Sequence, residues 1–457
     1  MIDKEIVCGS GWVTAELPND AEIVGPGMSL PLEAAGDLES VVRRALDEPL
    51  DRPPLRDQVG PGSRVTLAFD DPTVPCYAPL WAVAVPMIVE ELTGAGVKER
   101  DIELVCANAL HRQFTHDELA GILGADVVKR HAPRLRSHDA EDSDAMVHLG
   151  RTPSGLDVEL SRSVTDADLT IYLNCSTTRG FSGGWKSVCV GLSGYRSIHH
   201  HHTPDIMSMS LDRNRMHEML DEMGALVEDQ LGDDRIFKLE TLLANPIAVH
   251  DIYSGSVGAT RAKIVEKTKA HQSARRDLIP EPVDVVVYGV PDWSPYAAYS
   301  HNNPMLDLIS TGLGYLGGMI QALGKPGCTV ILATPCPDRW DDRHHPSYRE
   351  VWETVIPETR DPDEARARFE PDYANRADLI HKYRFENGFH PVHGIMALYP
   401  LKRLRHAARV IVAHAEDPAI PQHCGFETAP TVKDALAMAG AGKSVALVEY
   451  PPAFNRQ

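Results

Sequence analysis

Seven short runs rich in β-branched and apolar residues constrain the fold of this chain more than any other feature. They are Val65–Phe69, Ile102–Ala107, Leu169–Asn174, Val283–Val290, Thr329–Ala333, Val410–Ala413 and Val445–Glu449. Most are continuously apolar rather than alternating, the pattern of a strand covered on both faces. Helical stretches fall between them, such as Leu38–Leu46, Leu80–Leu92, Asp117–Leu123 and Met305–Leu323. Strands and helices alternating in this way give an α/β fold with mainly parallel sheets flanked by helices.

At roughly 100–200 residues per domain, a chain of 457 residues holds more than one. The best linker is His271–Val283, polar, basic and proline-containing, just before the strongest buried-strand signal, VDVVVYGV. A boundary near residue 275 divides the chain into an N-terminal domain, 1–275, and a C-terminal α/β domain, 276–457. The last strand is a candidate to return to the first domain. Ligands of such folds gather at the carboxyl ends of strands and in crevices between domains, so the site is expected in the interdomain cleft.

The formal charge of −20 argues against a nucleic-acid partner or an anionic membrane surface, both of which call for a basic face. The longest apolar run, Ala78–Val89, is short of the ~20 residues that span a bilayer. The first residues, MIDKEIVCGSGWVTAEL, lack the basic and then apolar order of a signal peptide. Eight cysteines are scattered without a CxxC pair, so the expected location is a reducing cytoplasm.

Four clusters carry unusual side chains. Asp70-Asp71-Pro72-Thr73-Val74-Pro75 follows a strand and reads either as a carboxylate site or as a proline-fixed, capped turn. His111 lies in a loop before a helix that Thr115 and Glu118 open as a capping box. That loop position suits a general acid/base as well as an exposed histidine. Arg179-Gly180-Phe181-Ser182-Gly183-Gly184-Trp185-Lys186-Ser187 places three glycines beside a lysine. Glycine backbone can approach an anion closely, and Lys186 supplies a charge or a nucleophilic amine. The spacing is not that of a Walker A loop. Finally, His199-His200-His201-His202 offers imidazoles for a transition metal, without the HExxH pattern of a zinc site. Ser300-His301-Asn302-Asn303-Pro304 and Phe389-His390-Pro391-Val392-His393 are further histidine-bearing segments of the second domain.

In this order the clusters resemble the lactate racemase family, the nickel-pincer-nucleotide enzymes, most strongly from Val65 to His217. Asp71-Pro72-Thr73-Val74-Pro75 stands at the family's D-x-T-R-P element. His111 through Leu119 stands at H-R-x-x-T-x-E/D-E-L, and Gly180 through Ser187 at G-F-S-G-G-x-K-S. The resemblance implies a pyridinium-3,5-bisthiocarboxylic acid mononucleotide holding Ni(II), attached covalently through Lys186, with His202 as a metal ligand. It implies that Asp71, Thr73, Gly180, Ser182, Gly183 and Gly184 help bind the nucleotide, and that His111 is one acid/base of a reversible hydride transfer.

The departures are specific. Ser176 stands where the family has its second acid/base histidine, and Val74 where it has a substrate-binding arginine. Asn303 stands where it has a lysine, and no aromatic near Phe389 clearly matches the ring that packs over lactate. Losing two cations, each charged hydrogen bond worth roughly 1.5–3 kcal/mol, points away from lactate. The expected function is a racemase or epimerase of a larger or polyhydroxylated 2-hydroxy acid. Asn303, His301, Thr177 and His393 are substrate-contact candidates, and His200, His301 or His393 candidates for the missing base. The alternatives are one-face hydride transfer (a dehydrogenase or isomerase), a non-catalytic small-molecule-binding relative, and a zinc hydrolase built on the histidine run.

Overall fold

The computed structural model describes residues 1–25, 32–74, 78–177, 182–207, 214–245, 248–275 and 281–449. Its strands in chain order begin with β1 (Ile2–Cys8), β2 (Gly11–Leu17), β3 (Glu22–Val24), β4 (Val65–Asp70) and β5 (Ile102–Ala107). Then come β6 (Leu135–Ser137), β7 (Met146–Arg151), β8 (Asp157–Ser161), β9 (Leu169–Ser176), β10 (Ile236–Asn245) and β11 (Ala248–Gly255). The last are β12 (Val283–Gly289), β13 (Gly324–Ala333), β14 (Ala407–Ala413), β15 (Glu427–Ala429) and β16 (Val445–Val448). The α/β class read from the apolar runs is the observed one.

Two compact units contain these elements. One comprises residues 31–272 and 380–390, the other 1–30, 273–379 and 391–457. The first holds a six-stranded sheet in the order β11-β10-β9-β4-β5-β6, parallel except where β11 runs antiparallel to β10. The strand pleat sends successive side chains to opposite faces. On one face Phe69, Leu104, Ile171, Leu173, Phe237 and Leu239 join Trp81, Ile88 and Leu119 in one hydrophobic core. The helices Leu38–Asp47, Ala78–Gly94 and His116–Leu123 supply the rest of that layer.

The other face is polar near its carboxyl edge. Asp70, Tyr172, Asn174, Ser176, Lys238 and Glu240 alternate with the core residues and are all buried. The short helix Trp185–Gly191 lies on that side, tied down where Lys238 Nζ donates to Ser187 Oγ at 2.5 Å. A polar layer sealed between sheet and helix is costly unless its members satisfy one another.

The second unit holds a six-stranded, all-parallel sheet in the order β15-β14-β13-β12-β16-β3, with the hairpin β1–β2 beside it. Its composition departs from the expected division at residue 275. The first thirty residues belong with the C-terminal segments, because β3 extends the sheet beside β16 and Ile6, Ala15 and Leu17 share a core with Val287 and Ile331. The last strand, β16, pairs with β12 in this same unit rather than returning to the other. The stretch Met305–Leu323 is two helices, the first (Met305–Tyr315) wound wide, as the Leu316 N–H bond to Thr311 O shows. Among the described residues no helix is long and apolar enough to cross a membrane.

Candidate functional site

The carboxyl edge of β4 supplies the first element. Asp70 is the last residue of that strand and Asp71 opens the turn after it, both buried. The two carboxylates behave differently. Asp70 Oδ1 accepts from the Tyr172 hydroxyl and Oδ2 from the Cys175 N–H, both at 3.0 Å. Burial nevertheless pushes its carboxyl up to about 6, against the pull of Lys238 and those donors. Burial also acts upward on Asp71, but the His111 imidazole and the Thr73 donors outweigh it, holding Asp71 below the ordinary carboxylate range.

His111 completes a dyad with Asp71. Its Nδ1 lies 3.0 Å from Asp71 Oδ2 and 2.8 Å from Thr73 Oγ1, and Thr73 N–H bonds Asp71 Oδ1 at 2.7 Å. Carboxylate on one ring nitrogen fixes the tautomer, the arrangement of a general base. The loop holding it is over-determined. His111 N–H bonds Asn108 O, Asn108 Nδ2 bonds back to His111 O, and the Tyr383 hydroxyl donates to Ala109 O. Phe389, 1% exposed, meets the imidazole edge-on with ring centres 5.9 Å apart. The sequence reading gave Phe389 no role, because its contact with His111 spans 278 residues of chain.

The predicted helix start after His111 is present, with both halves of the Thr115–Glu118 capping box formed. Arg112, next to His111, is committed to that box. It is buried, and its guanidinium bonds Glu118 at 2.7 and 3.1 Å over the Phe114 ring.

The glycine-lysine segment supplies the second element. Gly180, Phe181 and Arg179 lie outside the described residues. Gly183 and Gly184 both have positive φ, +88° and +57°. A Cβ on Gly183 would come within 1.8 Å of Glu240 Oε1, and the Gly184 N–H donates to that same oxygen at 3.2 Å. The Gly184 donor, expected to cradle a phosphate, is thus given to a carboxylate of this chain. Ser182 contributes its carbonyl to Arg261 Nη1 at 2.6 Å.

Lys186 follows in the first turn of Trp185–Gly191, half-buried. Burial lowers its amine to about 8; Asp70 and Asp71 oppose that shift and Arg261 adds to it. A lysine in this state has a substantial neutral fraction near neutral pH and is a competent nucleophile. Lys238, fully buried over the Tyr172 ring, is likewise lowered to about 8.

The histidine run divides by direction. His200 Nε2 approaches Asp157 Oδ2 at 3.4 Å, in a cluster with His148, Arg151 and Arg196. His201 is completely buried, and its Nδ1 lies 2.8 Å from Nδ1 of half-buried His202. Burial and then the nearby Lys186 charge depress His201 to about 3, so it is neutral. His201 Nε2 is a buried atom without a hydrogen-bond partner among the described residues. Among those residues no group of three or more His, Cys, Asp or Glu side chains is arranged to hold a metal by itself.

Ser176 ends β9 on the polar sheet face and Thr177 follows it, the serine buried and the threonine half-buried. Asn303, His301 and His393 belong to the other compact unit. There His301 is exposed with Nδ1 near Asn302 O, Asn303 Oδ1 accepts the Leu306 N–H, and His393 Nδ1 lies 2.6 Å from the Tyr348 hydroxyl.

The segment that holds the lowered Lys186 amine, the His111–Asp71 dyad and the His201–His202 pair is similar to known proteins. Residues 9–213 match the model of the lactate racemase N-terminal domain. Among its relatives, the lactate racemase of Lactiplantibacillus plantarum is 27% identical over 187 residues, 40% of this chain and 43% of that protein. That of Thermoanaerobacterium thermosaccharolyticum is 26% identical over 172 residues, 37% of this chain and 39% of that protein. These matches therefore span less than half the length of the curated relatives. In fold the likeness is longer. The lactate racemase apoprotein of Thermoanaerobacterium thermosaccharolyticum covers both chains completely with a TM-score of 0.68 at 18% identity. A Thermotoga maritima protein covers 91% of this chain and 97% of its own with a TM-score of 0.55 at 14% identity.

Proposed function

We propose that this chain is a racemase or epimerase of a 2-hydroxy acid other than lactate, working with a nickel-pincer nucleotide attached through Lys186. The observation that carries the reading is one electrostatic neighbourhood. Lys186, with its lowered amine, feels Asp70 and Asp71, Asp71 holds His111, and Lys186 in turn acts on His201.

The residues present fit such a group. A half-buried amine lowered to about 8 suits a covalent link. His202 suits a metal bond through Nε2 if its Nδ1 carries the proton and donates to His201 Nδ1, which requires His201 to be the Nε2–H tautomer. When bound, the group would supply a hydride acceptor and a Ni(II) centre of soft donors completed by one imidazole. The chain supplies the proton chemistry. His111 Nε2 takes the substrate hydroxyl proton, Asp71 stabilises the resulting imidazolium, and Phe389 restricts the ring and excludes water from one side of it. Val74, in place of a cation, favours an acid recognised largely through further hydroxyls.

The test uses holoenzyme and single C2 epimers of lactate, malate, glycerate and gluconate, each deuterated at C2. The reading predicts inversion with deuterium retained at C2, and lactate at least about tenfold poorer than the best acid, the loss of one charged contact. Exchange of the C2 label with solvent, or lactate as the best substrate, contradicts it. Accumulation of keto acid without epimer selects the one-face hydride transfer for which Ser176, in place of a second histidine, gives reason.

A further inference from the structure

Inversion by this route needs a proton carrier besides His111, and the inference here rests on the reading above. The histidines that might be recruited are occupied: His200 faces Asp157, and His301 and His393 are engaged in the other unit. The acid beside Ser176 is Glu240. We infer that Ser176 and Glu240 form the second proton-transfer pair of this site, the serine meeting the substrate hydroxyl and the glutamate taking the proton through it.

Sheet register sets up the pair. Glu240 lies opposite Asn174 in the β9–β10 ladder, and Ser176 is two residues further toward the carboxyl edge on the same face. The serine is thus the outer member and the glutamate the inner one. Ser176 Oγ is 3.5 Å from Glu240 Oε1, a long contact of the kind that tightens when a reactant is bound. Asn174 Nδ2 reaches Ser176 Oγ at 3.3 Å. The neighbouring strands β4 and β5 present the matching design, with Asp71 behind His111.

A purely structural glutamate does not account for the details. Pinning the Gly183–Gly184 turn occupies Oε1 alone. Among the described residues, Oε2 is buried without a hydrogen-bond partner, as is Asn174 Oδ1 across the ladder. Two unmatched acceptors in one buried layer call for a donor that arrives with a ligand or a proton that arrives with a reaction. Lys238 and Arg261 are cations that interact with Glu240.

The step balances within the proposed chemistry. The substrate O–H proton passes to Ser176 Oγ as the serine proton passes to Glu240. The C2 hydride leaves to the nickel-pincer nucleotide, and the alcohol becomes a ketone. When the hydride returns to the opposite face of the ketone, the proton comes from the His111 imidazolium, which leaves Glu240 protonated and His111 neutral, the starting state for the reverse direction.

Four holoenzymes test it: wild type, Glu240→Gln, Ser176→His and the double variant, assayed on whichever of the four acids wild type interconverts. Glu240→Gln is expected to lower kcat about 100-fold, the low end for acid–base catalysis, with KM within about threefold. In the Ser176→His background, where an imidazole does the work, the same change is expected to cost under about threefold. Intact mass separates the failures. Lys186 loaded and Glu240→Gln at full rate overturns this inference alone; no adduct on wild type overturns the parent reading and this with it. An independent arm uses apoprotein. The Glu240 carboxylate infrared band, assigned by the Glu240→Gln difference, is expected to shift in Ser176→Ala, and an unmoved band overturns the pair.

Discussion

Replacing Asp71 by asparagine isolates what the carboxylate does for His111. The change keeps size and leaves an amide oxygen to receive the Thr73 N–H, now at 2.7 Å. It removes the charge 3.0 Å from His111 Nδ1 and sets an amide donor there instead. A hydrogen bond to a charged group contributes about 1.5–3 kcal/mol. At about 1.36 kcal/mol per tenfold in rate, kcat of the holoenzyme should fall roughly 10- to 150-fold. The mechanism of the loss is visible in apoprotein by 15N NMR of histidine-labelled protein, with His111 assigned by a His111→Gln difference. Wild type should carry the His111 proton on Nδ1 and the variant on Nε2. The pH dependence of stability has a definite sign as well. Asp71 titrates lower folded than unfolded, so its contribution is present above the ordinary carboxylate range and is lost as pH falls through the folded value. The stability difference between wild type and variant should therefore shrink below about pH 4. An unchanged His111 tautomer together with kcat within twofold would refute the dyad.

Other outcomes follow from the same structure. Acylation of Lys186 by a small anhydride, followed by peptide mass, should rise through about pH 8 rather than near the ordinary lysine value, while fully buried Lys238 stays protected. Replacing Arg261 with methionine should move the Lys186 midpoint upward. Gly183→Ala should destabilise by more than the ~1–2 kcal/mol of a left-handed residue, because its Cβ meets Glu240 Oε1; adding Glu240→Ala should recover the excess in denaturant melts. In the other unit, burial raises Asp307 to about 7, so its contribution to stability is fully present below the unfolded carboxylate value and lost as pH rises toward 7. Asp307→Asn should abolish that slope, worth on the order of 4 kcal/mol across the window, in melts taken between pH 4 and 8.

The strands that could be read from sequence are those whose two faces are both apolar. Residues 65–69, 102–107 and 169–174 proved to be the heart of one sheet, and 283–290 and 329–333 that of the other. Strand β10 was illegible for a reason tied to the site. In Ile236–Asn245, Lys238 and Glu240 alternate with Phe237 and Leu239, which reads as a strand with one wet face. Only folding shows that the helix at Trp185 covers that face and makes the lysine and glutamate buried groups. Glu240 was missed with its strand. The hairpin β1–β2 and strand β3 escaped because they are short and half-exposed. Among the histidines, residue type gave candidates but not directions: His200 turns to Asp157 while His201 supports His202. The capping box before Glu118 was legible because its partners are three residues apart, whereas Phe389 against His111 is not a local event.

The most direct test of the central claim needs no substrate. The protein is coexpressed with enzymes that make the pincer nucleotide, and its intact mass, peptide map and nickel content are measured. The account predicts one adduct per chain on Lys186 with one nickel, the adduct absent in Lys186→Ala and the nickel depleted in His202→Ala. An unmodified Lys186 with no bound nickel would contradict it.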